Sequence, residues 1–383
     1  DAIYTDYSSA FTSVSHRLLL HKLEHSFNIS GVALGWIESY LSQRYQRVVL
    51  DGKFSDWVPV LSGVPEGSIL GPLLFTCYVA DLPNHIQTSC LSYADDVKIF
   101  NRISSIEDAR LLQADLDRLC LWSKTWCLQL NPAKCSSITF TLRSSPFLFH
   151  YMLDGHQLQR CERIRDLGVT LDSRLTFADH VDATVSKANR MVGLLIRSMQ
   201  VSTRSHRMRF NHVAALSAYK AHVRSVLEYG CFIWSGAAVT HLRRLERIQH
   251  RFLMWLGCMT HSPCPPLDYE SLLRLFGCPS IKSRFTQMDL MFARSVFNGR
   301  VDCADIVGMF PLSAPSRRMR RPALFHVPGS CGRVDSVKRG FLVRLPQMLN
   351  SFANSSPTSD WFLPSDTLRS DVLKFAGVQG TYL

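Results

Sequence analysis

Apolar residues follow two different spacings along the first 175 residues, and the spacing at each point predicts an element. Leucines and other apolar residues at helical spacing predict helices over residues 16–27, 32–41, 73–82 and 106–126. Short aromatic and β-branched runs predict strands over residues 2–7, 47–50, 54–60, 90–93, 97–100, 136–141, 147–153 and 166–171. This mixed order predicts an α+β fold, in which an antiparallel sheet is backed by helices.

Helical patterns dominate after residue 175. They extend over residues 181–197, 207–227, 241–256 and 281–297, with basic residues interleaved throughout. Beyond residue 310, proline, serine and arginine become frequent. We therefore expect a mixed domain over residues 1–175, a helical region over residues 176–310 and a basic, Pro/Ser-containing C-terminal tail over residues 311–383.

The composition is that of a folded, basic protein. Of 383 residues, 46% are hydrophobic, which is enough for a real core, and the net charge is +12. A basic protein of this size commonly binds a polyanion, although a basic protein without a nucleic-acid partner remains an alternative. The sequence contains no run of eighteen apolar residues, which argues against a membrane-spanning segment.

Three aspartates occupy positions that are unfavourable for a carboxylate. Asp6 ends an apolar strand, where an unpaired carboxylate is costly. Asp95 and Asp96 are adjacent at a predicted hairpin tip, where their negative charges repel each other. A divalent cation would remove both penalties, because Mg²⁺ prefers carboxylate oxygens as ligands. Taken alone, Asp95-Asp96 is more simply explained as a polar turn.

Five ordered motifs favour the metal-site hypothesis over the polar turn. They are Tyr4–Phe11, Gly63–Phe75, Tyr93–Asp96, Leu130–Cys135 and Leu167–Asp172. These segments resemble the first catalytic strand, the nucleotide-contacting loop and helix, the metal-binding hairpin and the next two motifs of reverse transcriptases. The tetrapeptide Tyr93-Ala94-Asp95-Asp96 is the most specific of them. The sequences of these motifs are most similar to those of the jockey-like branch of non-LTR (LINE-type) retrotransposon reverse transcriptases. The segments Ser225–Gly230 and Leu245–Phe252 also resemble that branch.

The resemblance implies a polymerase palm with partial fingers, followed by a helical, thumb-like region. Two Mg²⁺ ions, with Mn²⁺ as a substitute, would be held by Asp6, Asp95, Asp96 and the Tyr7 carbonyl. The implied nucleotide-binding residues are Phe11, Pro65, Glu66, Gly67 and Lys134. The implied primer grip is Leu167, Gly168 and Val169. Without the resemblance, Phe11 is equally well explained as core and Lys134 as an ordinary surface lysine.

The same resemblance implies an RNA template, a DNA primer and deoxynucleoside triphosphates as partners, and a nuclear and cytoplasmic location. Six arginines on predicted helices are candidates for binding nucleic acid, although many such residues are simply solvated: Arg190, Arg197, Arg243, Arg244, Arg247 and Arg251. In the family, most of the fingers and an endonuclease domain precede the first catalytic strand. The chain is therefore expected to be an N-terminally truncated fragment.

One position departs from the family pattern. Glu66 stands where the family usually has glutamine, and a carboxylate there adds negative charge beside the incoming triphosphate. The leading hypothesis is an RNA-directed DNA polymerase. A catalytically impaired remnant of a mobile element, which at most binds nucleic acid, is the alternative that Glu66 favours. An RNA-copying RNA polymerase on the same palm plan is disfavoured by Phe11.

Overall fold

The computed structural model describes residues 1–204, 211–260, 268–302, 304–310, 312, 325–327, 340–355, 372 and 375–376. The chain divides into two units, one of residues 1–164 with 172–174 and one of residues 165–171 with 175–383. Within the described residues, no helix combines the length and apolar character that crossing a bilayer requires.

The first unit is built on a five-stranded sheet. The strands of the chain are β1 Ala2–Thr5, β2 Tyr45–Gln46, β3 Val49–Leu50, β4 Lys53–Phe54, β5 Val58–Pro59, β6 Ser89–Tyr93, β7 Asp96–Phe100, β8 Ser136–Ile138, β9 Met152–Leu153, β10 His156–Gln157, β11 Gln159–Arg160, β12 Arg163–Asp166 and β13 Val169–Asp172. The strands of the sheet lie in the order β11-β8-β1-β7-β6, antiparallel except for the parallel pair β11 and β8. The other strands form two-stranded pairs, β2 with β5, β3 with β4, β9 with β10, and β12 with β13, whose tip belongs to the second unit.

Helices surround this sheet because their apolar faces need burial. The helices are α1 Ala10–Ser13, α2 His16–Phe27, α3 Gly31–Leu41, α4 Leu70–Val79 and α5 Ile106–Thr125, with a 3₁₀ turn over Leu82–His85. The first turn of α5 is fixed by a capping box between Ser105 and Asp108. Leu112, Leu116 and Leu119 on α5 are fully buried in the core of the unit. The sheet and the helices of this unit therefore share one continuous hydrophobic core.

The described part of the second unit is mostly helical, and it also contains the tip of the β12–β13 hairpin and an isolated bridge between Leu312 and Phe325. Its helices are α6 Ala178–Arg204, α7 His212–Tyr219, α8 Ser225–Glu228, α9 Cys231–Trp234, α10 Val239–Thr260, α11 Tyr269–Leu275, α12 Ile281–Phe297, α13 Ala304–Gly308 and α14 Phe341–Ser355. One core gathers residues of α6 to α12 around Trp234 and Phe252, both fully buried. A second core joins α12 to α14 through Leu290, Leu349 and Phe352.

The predicted elements of the first unit are largely confirmed. Helix 16–27 has the predicted bounds, and the expected antiparallel sheet backed by helices is present. The strand predicted over residues 136–141 ends at Ile138, and the one predicted over 147–153 is reduced to Met152–Leu153. The strands predicted over 47–50 and 54–60 are shorter pairs beside the Asp51-Gly52 turn. Strand propensity alone overstated these lengths, because pairing decides where a strand ends.

Three predictions for the later residues need correction. The strand predicted over 166–171 is interrupted by a turn at Leu167-Gly168, which separates β12 from β13. The helix predicted over 207–227 is broken into α7, a π-turn over Lys220–Arg224 and α8, and residues 205–210 lie outside the described part. The helix predicted over 281–297 has the predicted bounds. The region after residue 310 contains α14, which the sequence did not predict because Pro346 lies inside it.

Asp289 is a buried carboxylate of the second unit. Its side chain is 2% exposed and accepts hydrogen bonds from Arg344 Nε at 3.1 Å and from Ser235 Oγ at 3.4 Å. Arg344 also donates to the Phe232 carbonyl at 3.0 Å. Burial raises the pKa of Asp289 to about 6, and the Arg344 guanidinium offsets this rise only in part.

We expect Asp289 to stabilise the protein more at pH 4 than at pH 7. Its folded-state pKa lies above the ordinary value of 3.8, so the folded protein binds this proton more tightly than the unfolded chain does. The contribution is complete below the unfolded pKa and is lost as the pH rises through the folded pKa. We compare the free energy of unfolding of the wild type with that of Asp289→Asn in denaturant. The difference in favour of the wild type should be about 2 kcal/mol larger at pH 4 than at pH 7. A difference that is constant with pH would contradict this.

Candidate active site

Asp6 and Asp96 lie side by side at one end of two paired strands. Strand β1 pairs with β7 in antiparallel register, with Thr5 opposite Val97. The Thr5 hydroxyl donates to the Val97 carbonyl at 2.9 Å, which fixes this register at the strand end. Asp6 follows Thr5 and Asp96 precedes Val97, so the backbone brings these two residues together from positions 90 residues apart.

The β6–β7 hairpin places Asp95 beside them. Tyr93 pairs with Asp96, so Ala94 and Asp95 form the two-residue turn. Ala94 has a φ of 53°, the left-handed conformation that tight hairpin turns require. Asp95 is half-buried and Asp96 is exposed. The hairpin therefore carries two adjacent carboxylates to the end of the sheet where Asp6 lies.

The loop before β8 holds the backbone of Asp6 from the other side. The Asn131 N–H donates to the Asp6 carbonyl at 2.9 Å, and the Asp6 N–H donates to Cys135 Sγ at 3.4 Å. A turn between these residues is closed by Asn131 Oδ1, which accepts from Ala133 N at 3.1 Å. This turn presents Lys134, whose Nζ lies 3.3 Å from Asp6 Oδ2.

One carboxylate oxygen of the site, Asp6 Oδ2, is poorly satisfied. It is buried and has no hydrogen-bond partner, because the Lys134 ammonium lies within ion-pair distance but outside hydrogen-bond geometry. Lys134 itself is 65% exposed, so water screens its charge. A buried carboxylate oxygen left in this state costs free energy, and a cation is the ligand that would satisfy it.

Tyr7 lies directly beneath this end of the sheet. Its ring is 4% exposed, and its backbone forms a bridge to Leu130. Burial raises the pKa of the Tyr7 hydroxyl to about 12, so the hydroxyl is neutral at physiological pH. The hydroxyl is buried without a hydrogen-bond partner. The predicted role of the Tyr7 carbonyl as a metal ligand stays a prediction.

The three carboxylates do not form a finished metal-binding cluster. Among the described residues, no group of three or more histidine, cysteine, aspartate or glutamate side chains lies close enough to hold a metal ion. Like charges favour such separation of Asp6, Asp95 and Asp96 when no cation lies between them. The donor set still fits a hard divalent cation, because all three side chains offer carboxylate oxygens and Asp6 Oδ2 lacks a partner.

Gly63 fastens the glycine-rich loop to the segment that follows Asp6. Its N–H donates to the Val14 carbonyl at 2.7 Å, its carbonyl lies 2.7 Å from His16 Nε2, and Val64 N donates to the Phe11 carbonyl at 2.8 Å. Gly63 has a φ of +90°, and a Cβ there would lie 2.7 Å from Thr12 Cα. Only glycine permits this close backbone approach.

The rest of the loop leads into α4. Ser68 Oγ donates to the Pro65 carbonyl at 2.7 Å and accepts from Gly71 N at 2.9 Å, which closes the turn before the helix. Pro65 is half-buried, whereas Glu66 and Gly67 are exposed. Glu66 and Gly67, both predicted to bind a nucleotide, are thus open to solvent.

Phe11 combines core packing with partial exposure. Its ring stacks on Phe75, with ring centroids 4.4 Å apart and an interplanar angle of 21°. Phe75 is fully buried, whereas Phe11 is half-buried at the edge of the core. The packing holds the Phe11 ring in one orientation, and its role as a steric gate stays a prediction.

The predicted primer-grip residues form the tip of the β12–β13 hairpin in the second unit. Leu167 and Gly168 have φ values of 44° and 86°, and Val169 is buried in the helical core. The Tyr229 hydroxyl donates to the Leu167 carbonyl at 2.8 Å, and a Cβ on Gly168 would lie 3.0 Å from the Tyr229 ring. Sequence reasoning missed this contact, although it singled out the segment that contains Tyr229-Gly230.

The predicted arginines lie on two helices. Arg190 and Arg197 are exposed on α6, and Arg243, Arg247 and Arg251 recur every four residues on an exposed face of α10. Arg244 differs from the others, because its Nη1 lies 2.5 Å from Asp182 Oδ1 in an ion pair. Its charge is therefore partly neutralised within the protein.

Comparisons with known proteins agree with this arrangement. The family described as "Reverse transcriptase (RNA-dependent DNA polymerase)" matches residues 2–171. The chain is 32% identical over 265 residues to the "Probable RNA-directed DNA polymerase from transposon BS" of Drosophila melanogaster, covering 66% of this chain and 28% of that protein. It is 29% identical over 265 residues to the "RNA-directed DNA polymerase from mobile element jockey" of Drosophila melanogaster, covering 65% and 27%.

A third Drosophila melanogaster relative, the "Probable RNA-directed DNA polymerase from transposon X-element", is 28% identical over 267 residues, covering 67% of this chain and 28% of that protein. The chain thus spans just over a quarter of the length of each of these relatives. The matched residues 2–171 contain all the predicted carboxylates, the glycine-rich loop and the hairpin tip. Residues 2–171 are therefore a reverse transcriptase domain, and the chain is similar to the RNA-directed DNA polymerases of jockey and other Drosophila transposons.

Proposed function

We propose that this chain catalyses RNA-directed DNA synthesis, extending a DNA primer on an RNA template with deoxynucleoside triphosphates. The observation that carries the proposal is the register of β1 and β7, which sets Asp6 next to Asp96 at the end of the sheet, with Asp95 in the adjoining turn. Three carboxylates at one strand end are the donor set that nucleotidyl transfer requires.

Asp6, Asp95 and Asp96 would hold two Mg²⁺ ions, which Mn²⁺ can replace, with the Tyr7 carbonyl as a further ligand. When bound, the ions lower the pKa of the primer 3′-hydroxyl and neutralise charge on the triphosphate and the leaving pyrophosphate. The buried, unpartnered Asp6 Oδ2 supports this assignment. The β1–β7 register and the β6–β7 turn bring the three residues to one end of the sheet, and their side chains would have to move closer together to share an ion.

The remaining residues would bind and orient the substrates. Lys134 lies 3.3 Å from Asp6 Oδ2 and is mostly exposed, so its ammonium is free to turn toward a triphosphate. The exposed turn at Glu66 and Gly67 would face the incoming nucleotide. The ring of Phe11, held by Phe75, would exclude a ribose 2′-hydroxyl by contact.

The second unit would hold the duplex. Exposed arginines at 243, 247 and 251 share one face of α10 and would contact backbone phosphates without reading the sequence. The Leu167-Gly168 turn, fixed by Tyr229, would support the primer strand as a primer grip. Such contacts predict that affinity for an RNA/DNA duplex falls steeply with added salt.

Primer extension on an RNA template tests the proposal. The purified chain is incubated with a labelled DNA primer annealed to RNA, with Mg²⁺ and either deoxyribonucleotides or ribonucleotides. We expect extension with deoxyribonucleotides, and none by an Asp95→Asn, Asp96→Asn variant. Equal product from both proteins would defeat the catalytic assignment. Preferential use of ribonucleotides would indicate an RNA polymerase, and binding without extension would indicate an impaired remnant.

Glu66→Gln is expected to improve use of deoxynucleotides. Glutamine restores an amide donor and removes a negative charge from the exposed loop, where a triphosphate would bind. We expect kcat/KM for the nucleotide to rise about tenfold, mainly through a lower KM. Glu38→Gln, which removes an equally exposed charge on α3, is the matched control and should change nothing. An unchanged or lower kcat/KM for Glu66→Gln would contradict the role of this loop.

A further inference from the structure

The second unit contains a cleft of about 620 Å³ beside the hairpin tip. Its walls are Gly168 and Thr170 of the hairpin, one face of α6, and α8 with the adjoining Tyr229. All of these residues belong to the second unit. Neither the carboxylate site nor the arginine face of α10 takes part in this cleft.

The cleft is strongly basic. His180, Thr184 and Lys187 are spaced four and three residues apart on α6, which places them on one side of the helix, and Arg190 continues the row. Arg165 of β12 lines the cleft from the hairpin. The lining contains no aspartate or glutamate among the described residues. Three permanent positive charges therefore line one concave surface, an arrangement that attracts an anion.

His180 supplies a second, independent observation. It is 6% exposed, its ring lies 5.2 Å from the Trp234 ring, and its Nδ1 accepts a hydrogen bond from Thr170 N at 3.3 Å. With Nδ1 accepting, the neutral imidazole carries its proton on Nε2. Nε2 is buried and has no hydrogen-bond partner. The cleft therefore contains a buried donor without an acceptor, which costs free energy until an acceptor is supplied.

We propose that this cleft binds a backbone phosphate of a nucleic-acid strand, with His180 Nε2 donating to a phosphate oxygen and Lys187, Arg190 and Arg165 neutralising its charge. Thr184 lines the same space and offers a hydroxyl as a further donor. The identification of the ligand as a nucleic-acid strand rests on the proposed function, whereas the anion site rests on the cleft alone.

Tyr229 connects the cleft to the hairpin tip. Its side chain lines the cleft while its hydroxyl donates to the Leu167 carbonyl. A phosphate seated against Lys187 would thus be held at the same edge as the Leu167-Gly168 turn. The cleft would fix the backbone of a strand at a defined distance from that turn, rather than anywhere along the arginine-bearing helices.

Fluorescence anisotropy with a labelled single-stranded DNA oligonucleotide tests the proposal on the full chain. Lys187→Ala, Arg190→Ala is expected to raise Kd about tenfold, and to make the slope of log Kd against log salt shallower by about 1.4, since each phosphate contact contributes about 0.7 for a single strand. The control Arg274→Ala, Lys282→Ala removes two equally exposed charges outside the cleft and should bind as the wild type does. Equal losses in both double variants would overturn the proposal.

His180→Asn examines the neutral donor separately, because its amide oxygen still accepts from Thr170 N while no group replaces Nε2. We expect Kd to rise about threefold, as for the loss of one hydrogen bond. His180→Gln, whose amide nitrogen takes the place of Nε2 as a donor, is the matched control and should keep the wild-type Kd. A wild-type Kd in His180→Asn, or equal losses in both variants, would overturn the assignment of His180. Inorganic phosphate, added at matched ionic strength, should not displace the oligonucleotide at millimolar concentration. If it does, the site is for free phosphate and the proposal fails.

These outcomes are separable from those of the proposed function. In an Asp95→Asn, Asp96→Asn background, Lys187→Ala, Arg190→Ala should cause the same loss of binding as in the wild type, because binding in the cleft requires no catalysis. Loss of binding in the cleft variants, together with a wild-type protein that extends no primer, would uphold the cleft and defeat the polymerase. Unchanged binding in the cleft variants, together with normal extension, would uphold the polymerase and defeat the cleft.

Discussion

Replacing Asp6 by asparagine is expected to lower the rate of primer extension by about a thousandfold. Asparagine has nearly the same shape, so the pairing of β1 with β7 and the contacts of the Asp6 backbone with Asn131 and Cys135 should persist. What is lost is the negative charge that a divalent cation needs from this residue. Single-turnover extension at saturating nucleotide measures the effect without interference from product release.

The same substitution is expected to leave the unfolding temperature unchanged or raised. Asp6 Oδ2 is buried without a hydrogen-bond partner, and its ion pair with Lys134 involves a side chain that is 65% exposed. Such a pair contributes little, whereas an unsatisfied buried oxygen is costly. Asp51→Asn, at the exposed β3–β4 turn, is the matched control and should extend primers normally. A markedly lower unfolding temperature for Asp6→Asn would reveal a structural role and undermine the catalytic one.

Opposite effects on activity and stability are the signature expected of a functional carboxylate. A charged oxygen that is buried without a hydrogen-bond partner lowers the stability of the fold. Such a cost is expected where the residue is needed for function. Tyr7 lies beneath the same strand end with a buried hydroxyl that also lacks a partner. Two such polar groups on consecutive residues therefore mark this strand end. The sequence predicted the costly carboxylate of Asp6 but not the buried hydroxyl of Tyr7.

Two helices whose first turns are fixed by local contacts were predicted from apolar spacing with nearly the right bounds. Helix α2 begins after Ser15, whose side chain accepts from Leu18 N, and α5 has its capping box. Both signals are readable without tertiary structure, because the cap and the helix are neighbours in sequence. The hairpin at Asp95 was predicted for the same reason, since its strands are separated by two residues.

Features that depend on distant partners were not predictable in this way. The parallel pairing of β11 with β8 joins segments more than twenty residues apart, and nothing in either segment specifies the direction of pairing. The burial of His180 depends on Trp234 and on Thr170, which come from other elements. On α6 the sequence pointed to Arg190 and Arg197 but not to His180, because helical spacing does not show which face borders a cleft.

Gly63→Ala is expected to be the most destabilising single substitution in the first unit that we propose. The added Cβ would lie 2.7 Å from Thr12 Cα and 2.8 Å from the Thr12 carbonyl oxygen, both backbone atoms that no side-chain rotation can move away. Gly63 also has a φ of +90°, which L side chains rarely adopt. We expect the free energy of unfolding to fall by about 4 kcal/mol, at the upper end of single-substitution effects.

Gly67→Ala separates the two causes of this loss. Gly67 has a φ of +73° in the same loop, but a Cβ there has no other atom within 4 Å. It should therefore cost only the backbone strain, about 1 kcal/mol. Equal losses for the two variants in denaturant unfolding would show that strain alone matters, and that the loop does not need to touch the backbone at Thr12. A much larger loss for Gly63→Ala, accompanied by slower primer extension, would show that the contact holds the nucleotide loop against the segment following Asp6.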